Sequence, residues 1–525
     1  MKGIARKMLA GLVALFLGNF FVSAINCVND GKESGIILNQ QEWPRIYDGG
    51  DDDAIADIAI DSDNNIIGAG YTFHNSTYDF YTVKYDSHGN EIWNATYDGG
   101  AHEFAMDVAV DSEDNIIVFG FTGDVETFEG DFLIIKYSSD GIKLWNKTYD
   151  KDVCDYPGGV AIDSQDDIIV TGGAGDFRIE MSYWTIKTDG NGNEIWNKTY
   201  HAGYIDASLC VAVDSQDNII VAGVSALPFT TDCYYFIKYD SNGNEIWEGR
   251  YAGVEPYDIA IDSAENIIVV GHGYSQDTRS ATWRVVKCDK DGKLLWEQEY
   301  DSGEDDAAEG VAINSEGNIV VGGFSCFSKE KNYEHCLIIY DSEGKEICLR
   351  RPSIEGIILG IAVDSTDAIF VAGNIIRLTS DAYITKYSEI TPPSAYMKKP
   401  KEKKLYIFDK ELMQFPLNMI IGKITIEVEG DMTKVEFYVD NKLMATVDTQ
   451  PYSYTWDETV VGKHRIKIMA YDDEGDAIID EREIWIINIG KEASKKSGET
   501  DNELFPFHFT FDKSICFLST NNFTN

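Results

Sequence analysis

Basic residues are scarce in this chain. Its 525 residues hold 44 lysines and arginines against 89 aspartates and glutamates, a formal net charge of −45. Nucleic-acid binding needs a basic face, so that class is set aside. An acidic solvated surface, a saline habitat or cation binding fits the balance. Beyond residue 24 there is no apolar stretch of ~18 residues, the length a spanning helix needs. No sustained helical periodicity follows either. The nine cysteines contain no Cys-x-x-Cys pair, which removes the usual zinc and redox frameworks. A Gly-x-Ser-x-Gly elbow, a His-Glu-x-x-His helix, a phosphate loop and an intact EF-hand loop are all missing.

What is present is enough to build cores. Hydrophobic residues make up 44% and aromatics 12% of the chain, so it is not a disordered acidic polymer. The length suggests two or three domains. Residues 1–24 read as a signal peptide. Lys2, Arg6 and Lys7 precede the apolar run Met8 to Val22, and Val22-Ser23-Ala24 offers small residues for cleavage. An uncleaved anchor is the alternative. Export permits disulfides, and Cys326 with Cys336, or Cys210 with Cys233, are the candidate pairs against a background of free buried thiols.

Self-similarity is the strongest signal. Asp-Ser recurs at Asp61, Asp111, Asp163, Asp214, Asp262 and Asp364, with Asn314-Ser315 in the remaining slot, at spacings of 48 to 52 residues. Nine residues after each copy comes a glycine, from Gly70 and Gly120 to Gly373. Each unit carries four strand signals, and the fourth contains tryptophan, as in Glu194-Ile195-Trp196. Four-stranded units repeated radially make a propeller. The expected fold class is therefore all-β: a seven-bladed β-propeller over 41–389. The last unit stops after its third strand, and a spare Trp43 strand precedes the first. The N-terminal strand is thus expected to close the last blade and hide its edge.

The tryptophans Trp43, Trp93, Trp145, Trp196, Trp247 and Trp296 read as packing residues between blades, with Cys348 in the seventh slot. Strand three ends in lysine at Lys84, Lys136, Lys187, Lys238, Lys287 and Lys386, but in Ile339 where Asn314 replaces the aspartate. The charge and its partner are missing together. This predicts an Asp–Lys pair within each blade, against the alternative of an aspartate that caps its own turn.

The run Asp-x-x-Ala-Val-Asp-Ser, Asn-Ile-Ile-Val-x-Gly and Lys-Tyr-Asp-Ser-x-Gly-Asn-Glu-Ile-Trp resembles the SBBP family of β-propeller repeats. That resemblance implies seven blades and an exported, cell-surface protein, but no defined reaction. The turn Asp-x-x-Gly-x-x-x-Trp also resembles the tryptophan-docking motif of quinoprotein propellers, which we read as shared blade mechanics.

Residues 390–404 read as a linker. Short alternating strands over 405–490 suggest a β-sandwich. Val-Glu-Phe-Tyr-Val-Asp and His-x-Ile-x-x-x-Ala-Tyr-Asp there are similar to bacterial and archaeal Ig-like domains. Residues 491–525 read as a poorly ordered tail.

The loops on one propeller face are acidic. The candidate binding residues are Asp53, Asp57, Glu103, Asp107, Asp155, Asp206, Asp258 and Asp306. Asp57, Asp107 and Asp258 share one strand-one slot and are expected near the central channel. Carboxylates there could hold Ca²⁺ through oxygen ligands. With nearby aromatics they could instead take carbohydrate or a cationic peptide. Asn75, Asn94, Asn146 and Asn197 sit in glycosylation sequons. No catalytic residue is singled out. The sequence favours an exported binding or adhesion protein acting on an extracellular protein or carbohydrate. The alternatives are a polysaccharide hydrolase or lyase, and a purely structural envelope component.

Overall fold

The computed structural model describes residues 43–488, apart from 50–51, 126, 128, 177–179, 202, 204, 227–232, 253, 276–278, 327–332, 351–353, 377–379, 388–394, 402, 441 and 473–475. The signal segment and the tail expected at either end lie outside the described residues. The described residues form strands and no helix, and none of their segments is a helix long and apolar enough to cross a membrane.

Among the described residues, seven four-stranded antiparallel units follow one another. The first is Asp53–Ile60, Ile66–His74, Thr77–Tyr85 and Glu91–Tyr97, hydrogen-bonded in that order. The burial pattern explains the order. The second strands are almost wholly buried β-branched runs, whereas outer strands such as Glu91–Tyr97 alternate between exposed and half-buried positions. Adjacent units share their cores. Ile67, Ala69 and Phe80 of the first pack with Val108, Val118, Leu133 and Ile135 of the second.

The last unit holds Gly356–Val363, Ile369–Ile376 and Ser380–Tyr387, and its outer strand is Arg45–Tyr47. Arg45 pairs with Ile384 and Tyr47 with Ala382. Trp43 packs edge-on to both Tyr85 of the first unit and Phe370 of the last. The expected closing strand is in place, and a shared core of Ile55, Ile58, Phe370, Ala382 and Ile384 seals first unit to last.

The tryptophans bind unit to unit. The Nε1 of Trp93 donates to the Ser139 carbonyl of the next unit's turn at 3.0 Å, and Trp196 does the same to Ser241 at 3.1 Å. The turn glycine receives the ring. Gly141 has φ of 81°, and a Cβ there would stand 2.6 Å from the Trp93 ring.

The C-terminal module is a β-sandwich with an Ig-like arrangement. Its sheets close over Met397, Ile426, Phe437, Trp456, Ile468 and Ile486. The stretch expected as a linker supplies one of its strands, Ala395–Lys399, because alternating Ala395 and Met397 turn into that core. The module does not stand apart. Its last strand, Asp476–Asn488, pairs with Glu346–Arg350, the outer strand of the sixth unit. Met469, Tyr471 and Ala477 join the sixth unit's core around Leu349.

Neither disulfide candidate forms. Cys326 pairs in register with Tyr333 and Cys336 with Gly323. Three residues along a strand is about 10 Å, beyond the ~7 Å between Cα atoms that a disulfide tolerates. Cys210 is a free buried thiol.

Candidate functional site

The inner strand of each unit carries a bulge at one place. In the first unit the register slips between Ile55 and Asp57, and in the second between Ala105 and Asp107. A bulge re-aims the side chain beside it. Here it turns the slot thirteen residues before the repeat glycine toward the ring axis. That slot holds Asp57, Asp107, Gly159, Cys210, Asp258, Gly310 and Gly360 in chain order. The residue before it is Met106, Leu209, Tyr257, Glu309 or Leu359 in five of the units. These side chains, with Tyr156 and Glu255, line a cavity of about 160 Å³.

The slot acids are tied to the next unit's backbone. Asp107 Oδ2 accepts Val160 N at 2.6 Å, and Asp258 Oδ2 accepts Val311 N at 2.8 Å. Asp57 Oδ2 accepts Val108 N at 3.3 Å. Glycine in the adjoining slot makes room, since a Cβ on Gly360 would lie 2.8 Å from Asp57 Oδ1.

Asp57 and Asp107 also hydrogen-bond to each other, so the pair holds a proton. Burial, then the charge of Asp107, pushes the Asp57 carboxyl well above the usual range. Burial raises Asp258 to about 7. Burial, with Glu255 beside it, raises Glu309 to about 8. Glu309 Oε1 is buried without a hydrogen-bond partner among the described residues. The site is asymmetric, with its acids on the first, second, fifth and sixth units and none on the third, fourth and seventh.

The other five candidates go elsewhere. Asp53, Glu103, Asp155, Asp206 and Asp306 are fully buried seventeen residues before the repeat glycine. Each carboxylate accepts a backbone N–H of the loop entering its own unit: Gly49, Gly99, Lys151, Gly203 and Ser302 respectively. They shape the loops and do not reach the axial cavity. The four sequon asparagines, Asn75, Asn94, Asn146 and Asn197, are all exposed.

Sequence reasoning placed Asp57, Asp107 and Asp258 together, counted Glu309 only among the acids of the loop face, and did not single out Cys210 as a cavity residue. The fixed offset from the repeat glycine was the available signal for both. The Asp–Lys pairs form in the first five units, at 2.5–2.9 Å, as Lys84–Asp61, Lys136–Asp111, Lys187–Asp163, Lys238–Asp214 and Lys287–Asp262. The seventh differs. Lys386 lies 5.1 Å from the centre of the Phe370 ring, and no ion pair to Asp364 is found among the described residues.

The bacterial Ig domain family matches residues 421–468. An uncharacterized WD repeat-containing protein of Acanthamoeba polyphaga mimivirus is 28% identical over 179 residues, which is 29% of this chain. The chain spans 12% of that relative's length. The extracellular domain of a putative hybrid two-component system from B. thetaiotaomicron superposes with a TM-score of 0.43 at 11% identity, over 83% of this chain and 56% of that one. An ulvan lyase of polysaccharide lyase family PL25 gives 0.41 at 11% identity, over 65% of this chain and 95% of that one.

Proposed function

We propose that this chain is an exported binding protein of the cell surface or the secreted fraction, a seven-bladed SBBP-type ring whose axial cavity receives a cationic group of an extracellular protein. The observation that carries the reading is the cavity itself. Four acids, Asp57, Asp107, Asp258 and Glu309, converge with Tyr156 and Tyr257 on about 160 Å³. Burial leaves these carboxyls short of solvation. A lysine or arginine side chain entering the cavity would supply the missing charge, while tyrosine faces would pack on its stem. The Ig-like module acts as a spacer, and the exposed sequon asparagines are glycan acceptors on the outer surface.

A glycosidase reading fits less well. Glycoside hydrolysis uses two carboxyls about 5–9.5 Å apart, whereas Asp57 and Asp107 are in direct hydrogen-bond contact. The test is a binding screen of the secreted chain against basic peptides and a glycan array. The expected result is saturable capture of basic peptides that Asp258→Asn and Glu309→Gln weaken at least tenfold. Capture of neutral glycans unaffected by those substitutions, or product accumulating with time, would refute the reading.

A further inference from the structure

A second set of acids lies off the axis, in the clefts between units. Asp79 is on the third strand of the first unit, Asp98 follows that unit's outer strand, and Glu103 opens the second unit. Their carboxylate oxygens lie within 4.8 Å of one another. Fifty-two residues on, the same trio recurs as Asp131, Asp150 and Asp155, again within 4.8 Å.

Two of these side chains are buried with an oxygen left over. Asp79 is 3% exposed and Asp155 is 0% exposed, yet among the described residues Oδ1 of each finds no hydrogen-bond partner. Their remaining partners are backbone groups and hydroxyls. Glu103 accepts Gly99 N and Ala101 N at 3.2 Å and the Thr122 hydroxyl at 3.3 Å. Asp155 Oδ2 accepts Lys151 N at 2.6 Å. No lysine or arginine forms an ion pair with any of the six among the described residues. The Lys151 ammonium, beside the second trio, turns to the Thr199 hydroxyl and the Trp184 ring. Carboxylates this close, with Asp79 and Glu103 buried in the first trio and Asp155 in the second, need either a proton or a positive charge between them.

The next cleft supports this by contrast. At the places of Asp131, Asp150 and Asp155 it has Ser182, His201 and Asp206. There His201 Nδ1 stands 3.2 Å from Asp206 Oδ2. There the histidine contacts the retained acid directly, whereas in the first cleft His74 and His102 act on Asp79 without an ion-pair contact among the described residues.

We propose that each trio, Asp79–Asp98–Glu103 and Asp131–Asp150–Asp155, binds one Ca²⁺ ion that clips neighbouring units together. The donors are all carboxylate oxygens on loops and strand ends, the hard and adaptable set that Ca²⁺ accepts and the stricter Mg²⁺ octahedron does not favour. Neither ion involves the axial cavity, so this inference stands or falls apart from the ligand assigned there.

The test is calorimetric titration of the chelator-stripped full chain with CaCl₂, with MgCl₂ as control. Asp98→Asn and Asp150→Asn are the variants, because both residues are exposed and an asparagine at 98 keeps the cap that Asp98 Oδ1 gives Gly100 N. The wild type is expected to bind two Ca²⁺ ions. Each single variant should bind one and the double variant none, with an unchanged melting temperature in EDTA showing that all are folded. No calcium uptake by the wild type, or uptake undiminished in the double variant, would overturn the proposal.

Discussion

At Asp111 the two carboxylate oxygens have different tasks. Oδ1 accepts the turn amides of Glu113 and Asn115, while Oδ2 takes the Asn115 side chain and the Lys136 ammonium at 2.7 Å. The two sequence readings, a turn cap and an ion pair, therefore hold together. Lys136 also donates to the Gly190 carbonyl of the next unit at 3.1 Å, which extends the pair across the interface. Asn314 shows which task can be dropped. It still accepts Glu316 N and Asn318 N, but its unit has Ile339 at the lysine's position. Replacing Lys136 by methionine strands a buried carboxylate and should destabilise by ~3 kcal/mol. Asp111→Asn together with Lys136→Ile copies the sixth unit and should recover most of that loss. Urea melts of the two singles and the double check this, and additive effects would mean that the charges do not act as a pair.

Among strands, the outer ones of the first five units are the exposed edges of the ring. They carry an apolar residue about half exposed at one repeated position, as at Ile92, Leu144, Ile195, Ile246 and Leu295. The sixth is different because it is covered. Cys348, Leu349 and Arg350 are buried, and the sandwich strand Asp476–Asn488 pairs along them. The residue in the tryptophan slot, Cys348, packs instead in the core shared with the seventh unit, beside Ile339, Ile358 and Ile369, while the sandwich packs on Leu349. Nothing in the repeat alone shows this, since the partner strand lies some 130 residues later and its hydrophobic pattern suits its own sandwich equally well. Ala477→Asp places an unpaired charge against Leu349 and should detach the module. Scanning calorimetry should then resolve two transitions where the wild type has one, and X-ray scattering should show a larger radius of gyration. An unchanged single transition would mean that the edge pairing contributes little.

For the whole molecule, repeat period and strand patterning made the ring legible, down to Trp43 closing the last unit. The site was legible only in part. Asp57, Asp107 and Asp258 were identified by their shared slot, but five other acids of the same face proved to be caps on their own loops. Acid at a loop mouth looks alike in sequence whether it faces the axis or folds back on an amide. The two kinds of acid also respond oppositely to pH. Against the upward push of burial, lysine and asparagine partners hold Asp61, Asp111, Asp214 and Asp262 below the usual carboxylate range. Their stabilisation is present above an unfolded value of about 4 and is lost as pH falls through their folded values. Burial raises Asp258 to about 7 and Glu309 to about 8. Above pH ~4 the unfolded chain releases those protons while the folded one keeps them, so stability declines until the folded groups ionise. The melting temperature in EDTA should therefore peak near pH 5, fall toward pH 8 and level off above it. Glu309→Gln should leave the pH 5 value unchanged and raise the pH 8 value by ~1–2 kcal/mol, the shift being reduced by water in the cavity. At about 2–4 °C per kcal/mol the gain is a few degrees, and a variant whose profile parallels the wild type across pH 5–8 would show that Glu309 ionises normally in the folded ring.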